Sequence, residues 1–390
     1  MKAAWLLPVV FWIGYGQTQG PVTREGVYWW QTSQRTVSLP SGVRSLWVGT
    51  SGPVIVRGAS ESAVVYSLRK RVKIRTQKEA EQVLNEFTVN LKTHGDVARL
   101  ELELPERGAA MAELEIQAPR SLARVDIGTE EGGVEAFNLG GLLNVETGGG
   151  IVRVDGIGGD VDVRTGGGEI DLGKINGSLR CLSGGGTIRA DFIGGKASFE
   201  TAGGEIFLRQ VKGPVEATTA GGNIHIEKAG SSVKANTSGG LIDVLYAGGP
   251  VTAGTMAGCI KVASAKGVRL ESAAGPIQLR GVSGPLNVST VSGNIVTELY
   301  AGLELEDSFL NTGAGDITVY IPSNLSVTVR ARNESLGRVK TIITDFPEIR
   351  VKPAGLTASS PLLAEGELNG GGPLLRILAS GGAIYLRRQR

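Results

Sequence analysis

Few residues in this chain could do acid–base or metal chemistry, and their spacing decides what they could do. There are two histidines, His94 and His225, far apart in sequence, and two cysteines, Cys181 and Cys259. No Cys/His cluster has the short spacings that hold zinc, so no metal site is expected. Chemistry at a glycosidic bond needs carboxylates converging on one face as general acid with base or nucleophile. The nearest pair is Asp160 and Asp162, both expected to point outward as solvated surface acids. Serines are plentiful, but none sits in a Gly-x-Ser-x-Gly elbow between a strand and a helix. The Gly-Gly-Gly runs at 148–150, 166–168 and 184–186 lack the helix and Lys-Ser/Thr of a phosphate loop, and read as turns. No catalytic residue and no cofactor site is assigned. Tyr28-Trp29-Trp30 is the one dense aromatic cluster. Aromatic faces suit sugar rings, so these three are the candidate binding residues; packing against the first turn of the fold is their competing role.

The elements that would position these side chains come from a repeat. Thr129, Thr147, Thr165, Ser183, Thr201, Thr219, Thr237 and Thr255 recur every 18 residues; one residue is then dropped, giving Ser272, and Thr290 resumes the period. With this Thr/Ser as position 1, position 4 is glycine from Gly132 to Gly293. Position 6 is Val or Ile throughout: Val134, Val152, Ile170, Ile188, Ile206, Ile224, Ile242, Ile260, Ile277 and Ile295. Positions 8, 11, 15 and 17 are mostly apolar, as in Leu172, Ile175, Leu179 and Cys181. Apolar pairs two apart, at 6/8 and 15/17, mean two short strands per repeat with alternate side chains facing in. One such unit cannot bury its apolar residues alone; stacking unit on unit closes a core and pairs the backbone between rungs. The expected fold is all-β, a parallel β-solenoid with 18-residue rungs about 4.8 Å apart. The crossover preference of parallel strands makes it right-handed.

Other architectures with related periods fit less well. A calcium β-roll needs Gly-Gly-x-Gly-x-Asp in each half-turn, but position 7 runs Glu135, Arg153, Asp171, Arg189, Phe207, His225, Asp243, Lys261. The apolar columns are not six apart, as a left-handed hexapeptide helix requires. The hydroxyl column lacks the neighbouring threonines of an ice-binding face and is expected at a corner, satisfying turn amides and its own neighbours. Alternating signs one rung apart, Arg153 beside Asp171, Asp162 beside Arg180 and Glu216 beside Lys234, predict cross-strand ion pairs.

Composition agrees with a narrow aliphatic core and many turns: 59 glycines and 5% aromatics in 390 residues. With Lys+Arg 40 against Asp+Glu 38 the net charge is +2, which gives no electrostatic footprint for nucleic acid. Lys2 followed by apolar Ala3–Ile13 reads as a signal peptide over 1–16, with Gly14 and Gly16 at the −3 and −1 positions before Gln17. No membrane span is expected once it is removed. Cys181 falls in inward column 17 and Cys259 faces out; 78 residues apart, they lie more than four rungs from each other and are not expected to bond.

Exposed strand edges at the ends of a stack need covering. Residues 17–110 are expected to form an N-terminal β-rich cap with one short helix, where Thr76 and Glu79 make a capping box before Ala80, Val83, Leu84 and Phe87. The solenoid then spans 111–330. An irregular stretch near 331–366 precedes a return of the repeat at Leu375–Leu386, so 331–390 closes the other end.

The repeated Gly-x-Ile-x-Val pattern, Gly315-Asp316-Ile317-Thr318-Val319-Tyr320-Ile321-Pro322 and the Gly370–Ile377 segment resemble the bacterial putative-adhesin family of exported β-helical proteins. The resemblance covers roughly 36–387 and implies a β-solenoid of the cell envelope with no catalytic residues to carry over. The expected function is that of a non-enzymatic periplasmic, cell-surface or extracellular scaffold. Its long face would meet a cell-envelope glycan, a surface protein or its own copies. The alternative is a polysaccharide-active enzyme, a lyase or hydrolase, with a site built from the 331–366 loops.

Overall fold

The computed structural model describes residues 17–302, 304–335, 341–356 and 360–389. The expected signal peptide over 1–16 lies outside the described residues. The chain divides into two compact units, Met1–Thr147 and Gly148–Arg390.

The second unit is a β-solenoid. Each turn gives one strand to each of two parallel stacks, such as Ile206–Val211 followed by Val215–Thr219. Register follows the period: Ile206 pairs with Ile224 and Val215 with Val233, one rung on. The inward columns are closed to solvent, as at Ile206, Leu208, Val211, Val215 and Ala217. Volumes are balanced across the two stacks. Phe199, the largest fully buried side chain, shares its rung with Ala190, whereas Ala217 shares its rung with Leu208. Large against small suits the close packing of a narrow core. Where one residue is dropped, the register becomes Val251 to Val268, and the shortened corner runs through Gly267 at φ +85°.

The corner after the second strand is held by the hydroxyl column. Thr219 Oγ1 donates to the Gly204 carbonyl of the preceding rung at 2.9 Å and accepts from Gly222 N at 3.2 Å. Thr201, Thr237 and Thr255 repeat both bonds. The column therefore satisfies turn amides as expected, but its second partner is a backbone carbonyl and not the next hydroxyl. The glycine at position 4 follows from the same stacking: a Cβ on Gly222 would overlap the Gly204 carbonyl, and one on Gly240 would overlap that of Gly222.

The first unit contains rungs as well as covering strands. Ser45–Thr50 pairs in parallel with Arg124–Thr129, placing Thr50 opposite Thr129. Val54–Ala59 pairs with Val134–Phe137. On the other side, Ser45 pairs with Val97 and Val54 with Leu114, both in parallel. The rung 45–59 thus lies between two rungs that come later in sequence. Antiparallel strands cover this outer turn: Thr88–His94 on Val97–Glu103, and Ala63–Val72 on Met111–Pro119. The helix Gln77–Asn85 forms where its capping box predicts. Thr76 Oγ1 accepts from Glu79 N, and Ala80, Val83 and Leu84 are buried. Lys70 turns inward beneath it and donates from Nζ to the Leu84 carbonyl at 3.0 Å. Burial pushes this lysine's pKa down, while the last turn of the helix supplies the acceptor the cation needs.

The C-terminal part of the second unit repeats the device. Leu374–Ala379 pairs in parallel with both Ser308–Thr312 and Thr328–Asn333, and Ile384 pairs with both Ile317 and Ile342. The last rung in sequence is the penultimate rung in space. The stretch read as irregular supplies the outer rung and two antiparallel strands, Leu362–Leu368 on Val327–Asn333 and Arg350–Pro353 beyond it.

Candidate binding face

Tyr28, Trp29 and Trp30 open a strand that alternates between faces and pairs in antiparallel fashion with Ala63–Val72. Trp29 faces inward, 8% exposed, and its Nε1 donates to the Ile74 carbonyl at 3.0 Å. Tyr28 and Trp30 lie on the opposite face, half-buried. Guanidinium groups occupy their rings: Arg71 sits 4.9 Å from the Tyr28 centroid, and Arg69 sits 4.4 Å from that of Trp30. The three aromatics therefore do not form one platform. One belongs to the core, and two are stacked with arginines across the strand pair.

A different aromatic set lies on the outer face of the solenoid strands. In the stack containing Ile188–Ile193, Ile206–Val211, Ile224–Ala229 and Ile242–Ala247, positions 7, 9 and 10 point out. Column 7 runs Arg189, Phe207, His225, Asp243, Lys261 and Gln278. Column 10 runs Phe192, Gln210, Lys228 and Tyr246. Phe207 is 37% exposed and Tyr246 43%. The rings of Phe207 and His225 stack with centroids 5.0 Å apart, and His225 Nδ1 donates to Asp243 Oδ2 at 3.0 Å. Lys212 lies 5.4 Å from the Phe192 ring and Lys228 5.9 Å from that of Tyr246. These lysines, and Lys261, have no carboxylate within ion-pair distance among the described residues. Position 7 carries the sequence signal for this face, since Phe207 is apolar at an outward position, although the alternating charges of the same column point first to ion pairs between rungs.

No family model and no curated protein matches the chain. Several solved structures are similar to it at low identity. A putative cell adhesion protein from Clostridium sporogenes is 10% identical, with 92% of this chain and 99% of that chain covered and a TM-score of 0.20. A putative adhesin from Bacteroides fragilis is 10% identical over 74% of this chain and 96% of its own, at TM-score 0.20. A protein from Parabacteroides distasonis named as a putative lipid-binding protein is 12% identical over 74% and 97%, at TM-score 0.24. The first two names agree with the family that the repeat motifs resemble. At these scores the likeness is too slight to bear on function.

The acids considered for catalysis have other partners. Asp160 Oδ1 accepts from Ser178 N at 2.7 Å, one rung on, and so closes a corner. Asp162 takes Arg164 of its own strand at 3.0 Å and not Arg180, the neighbour expected from the pattern. Other expected pairs do form between rungs: Arg153 with Asp171 at 3.9 Å and Lys234 with Glu216 at 2.7 Å. Lys234 holds the Glu216 carboxyl below its ordinary range. In the 331–366 stretch, Glu334 pairs with Arg332 at 2.7 Å, Asp345 with Arg387 at 3.0 Å and Glu365 with Lys352 at 3.3 Å. Among the described residues, no group of three His, Cys, Asp or Glu side chains could hold a metal ion. No described helix is long and apolar enough to cross a membrane.

Both cysteines are free thiols. Cys181 is buried in column 17, where desolvation raises its pKa strongly. Cys259 is half-buried at its corner; burial raises its pKa too, opposed by the Lys261 ammonium.

Proposed function

We propose that the protein is an exported, non-enzymatic β-solenoid that binds a cell-envelope glycan through outward columns 7, 9 and 10 of its second unit. The observation that carries this reading is the exposure of Phe207 and Tyr246 on regularly stacked strands, with His225 against the first ring and Lys228 by the second. An aromatic face can pack against a sugar ring, while neighbouring amides and ammonium groups take hydroxyls. Rungs about 4.8 Å apart repeat such weak contacts along one face, so affinity grows by their simultaneous engagement. Export follows from the signal-peptide pattern of residues 1–16. The C-terminal edge is a poor candidate for the contact. The edge strand Arg350–Pro353 carries Arg, Lys and Pro, which discourage addition of another strand.

The enzyme alternative is disfavoured because Asp160, Asp162, Glu334, Asp345 and Glu365 are each committed to a corner amide or a cation. The test exposes the protein lacking residues 1–16 to purified envelope glycans and assays both retention and reducing-end release. Retention without release is expected. Sustained release that disappears in the Asp160→Ala/Asp162→Ala variant would replace the scaffold with an enzyme.

A further inference from the structure

The same face has a chemical bias. Across the six rungs from Arg189 to Arg280, columns 7, 9 and 10 present five cations, Arg189, Arg209, Lys228, Lys261 and Arg280. Only three carboxylates, Asp191, Glu227 and Asp243, oppose them there, and Lys212 adds a cation from the next corner over Phe192. The chain as a whole is nearly balanced, at +2. Arg189 is paired with Glu169 and Asp171, Arg209 with Asp191 and Arg280 with Glu298, so the cations of this face without a carboxylate partner among the described residues are Lys228, Lys261 and, from the corner, Lys212.

The face also has a recess. The strand Ile260–Val262 is only three residues long, and column 9 carries the small side chain of Ala263 where the rungs on either side carry Leu245 and Arg280. A notch of about 320 Å³ opens there, lined by Asp243, Leu245, Lys261, Ala263, Gln278 and Arg280. Its polar groups are unequal. Asp243 is engaged by His225 at 3.0 Å, and Arg280 by Glu298 at 3.4 Å. Lys261 has no such partner among the described residues, and the Gln278 amide stands beside it in the same column. Leu245 gives an apolar wall, and Tyr246 follows it in the chain, 43% exposed.

We infer that this notch selects an acidic sugar unit, so that the ligand is an anionic polysaccharide. The ring packs against Leu245 and Tyr246, and its carboxylate or sulfate lies toward Lys261 with the Gln278 amide as a second donor. Lys228 and Lys212 continue the attraction along the chain, beside Tyr246 and Phe192. The inference rests on the glycan-binding reading of this face and adds the charge of the ligand to it.

The experiment uses the protein lacking residues 1–16 and two probes that differ only in charge: an oligogalacturonate and its carboxyl-reduced counterpart. Binding is measured by calorimetry at low and high salt. The uronate binds more tightly, and its advantage shrinks as salt screens the lysines. Lys261→Gln lowers uronate affinity by about three- to five-fold, the scale of one exposed ion pair, and leaves the neutral probe unchanged. Tyr246→Ala weakens both probes. Equal binding of the two probes, or an acid preference that survives Lys261→Gln combined with Lys228→Gln, overturns the charge selection while leaving a neutral-glycan scaffold intact. Failure of both probes, or retention only of an acidic protein, overturns the glycan reading along with it. A sulfated oligosaccharide in a parallel arm separates recognition of carboxylate from recognition of any anion.

Discussion

The two aromatic sets of this protein both carry partners on their rings and differ in how far the fold takes the rings up. In the first unit, Trp29 is in the core and donates to the Ile74 carbonyl, while Arg69 and Arg71 lie against Trp30 and Tyr28. In the second unit, Phe207 stacks on His225 and Lys228 lies by Tyr246, yet both rings stay exposed, 37% and 43%, outside parallel rungs whose inward residues, Ile206 and Val244, already supply the core. The lesson is that aromatic density marks a binding surface poorly. The inward columns show whether the fold needs the ring, and a ring it does not need is available to a ligand.

The largest effect that could break this contrast is on stability. Trp29→Ala removes a buried ring and leaves the Ile74 carbonyl without its donor, at a cost of about 3–5 kcal/mol in chemical denaturation. Tyr246→Ala is expected to stay within about 0.5 kcal/mol of wild type, as substitutions at exposed, uncommitted positions do. If the two variants lost similar stability, the second set would be structural as well.

Next in size is the frame that presents the second set. Gly222 closes the corner below His225, and a methyl group there meets the Gly204 carbonyl. Gly222→Ala should cost about 1–3 kcal/mol through forced separation of two rungs. Gly221, where an added Cβ finds the nearest atom of the preceding rung only at 4.0 Å, is the matched control and should tolerate alanine far better. Equal melting of the two alanine variants would mean that the glycine column is not set by close stacking.

A smaller effect concerns the C-terminal rungs. Asp345 accepts from Arg388 N at 3.1 Å and pairs with Arg387, and these interactions hold its pKa below the usual aspartate value. A depressed carboxylate pKa stabilises the fold above the unfolded value near 3.8, and the benefit is lost as pH falls through the lower folded value. Hydrogen-exchange protection factors in Thr341–Thr344 and Ala383–Arg388, taken relative to the intrinsic rate at each pH, should therefore fall on acidification, and Asp345→Asn should already show part of that change at neutral pH. Exchange rates in the variant that match wild type at both pH values would remove Asp345 from the account of this closure.

Most of the regular stack was legible because its determinants are local and repeated. Thr219, Gly222, Ile224 and Ile226 state the corner and the inward face within eight residues, and the next rung states them again. The ends were not legible for a topological reason. Thr50 occupies the same column as Thr129, but 79 residues separate them, and its corner, Thr50-Ser51-Gly52-Pro53, reaches inward Val54 one residue sooner than the repeat does. A periodic reading finds neighbours in sequence, whereas here the spatial neighbours of rung 45–59 are the rungs 97–119 and 124–137. The same holds for Leu374–Arg388, whose register was visible but whose place between two earlier rungs was not. Both intercalations give the terminal rung hydrogen-bonding partners on two sides, which opposes fraying. The candidate site was half visible. The alternation that places Trp29 inward and Trp30 outward could be read, but the arginines covering Trp30 come from a strand about forty residues away.

The central claim is that the outer face of the second unit, and not Tyr28 and Trp30, meets the ligand. The most direct measurement compares the affinity of two double variants for the same envelope glycan: Phe207→Ala/Tyr246→Ala and Tyr28→Ala/Trp30→Ala, each first shown to be folded by its melting curve. Loss of stacking at two rings should weaken the first variant by about five- to a hundredfold, since aromatic contacts of this kind contribute about 0.5–1.5 kcal/mol each beyond the area they bury. The second variant should bind as wild type does. The reverse pattern, with binding intact in the first and lost in a folded second, would contradict the account and return the site to Tyr28 and Trp30.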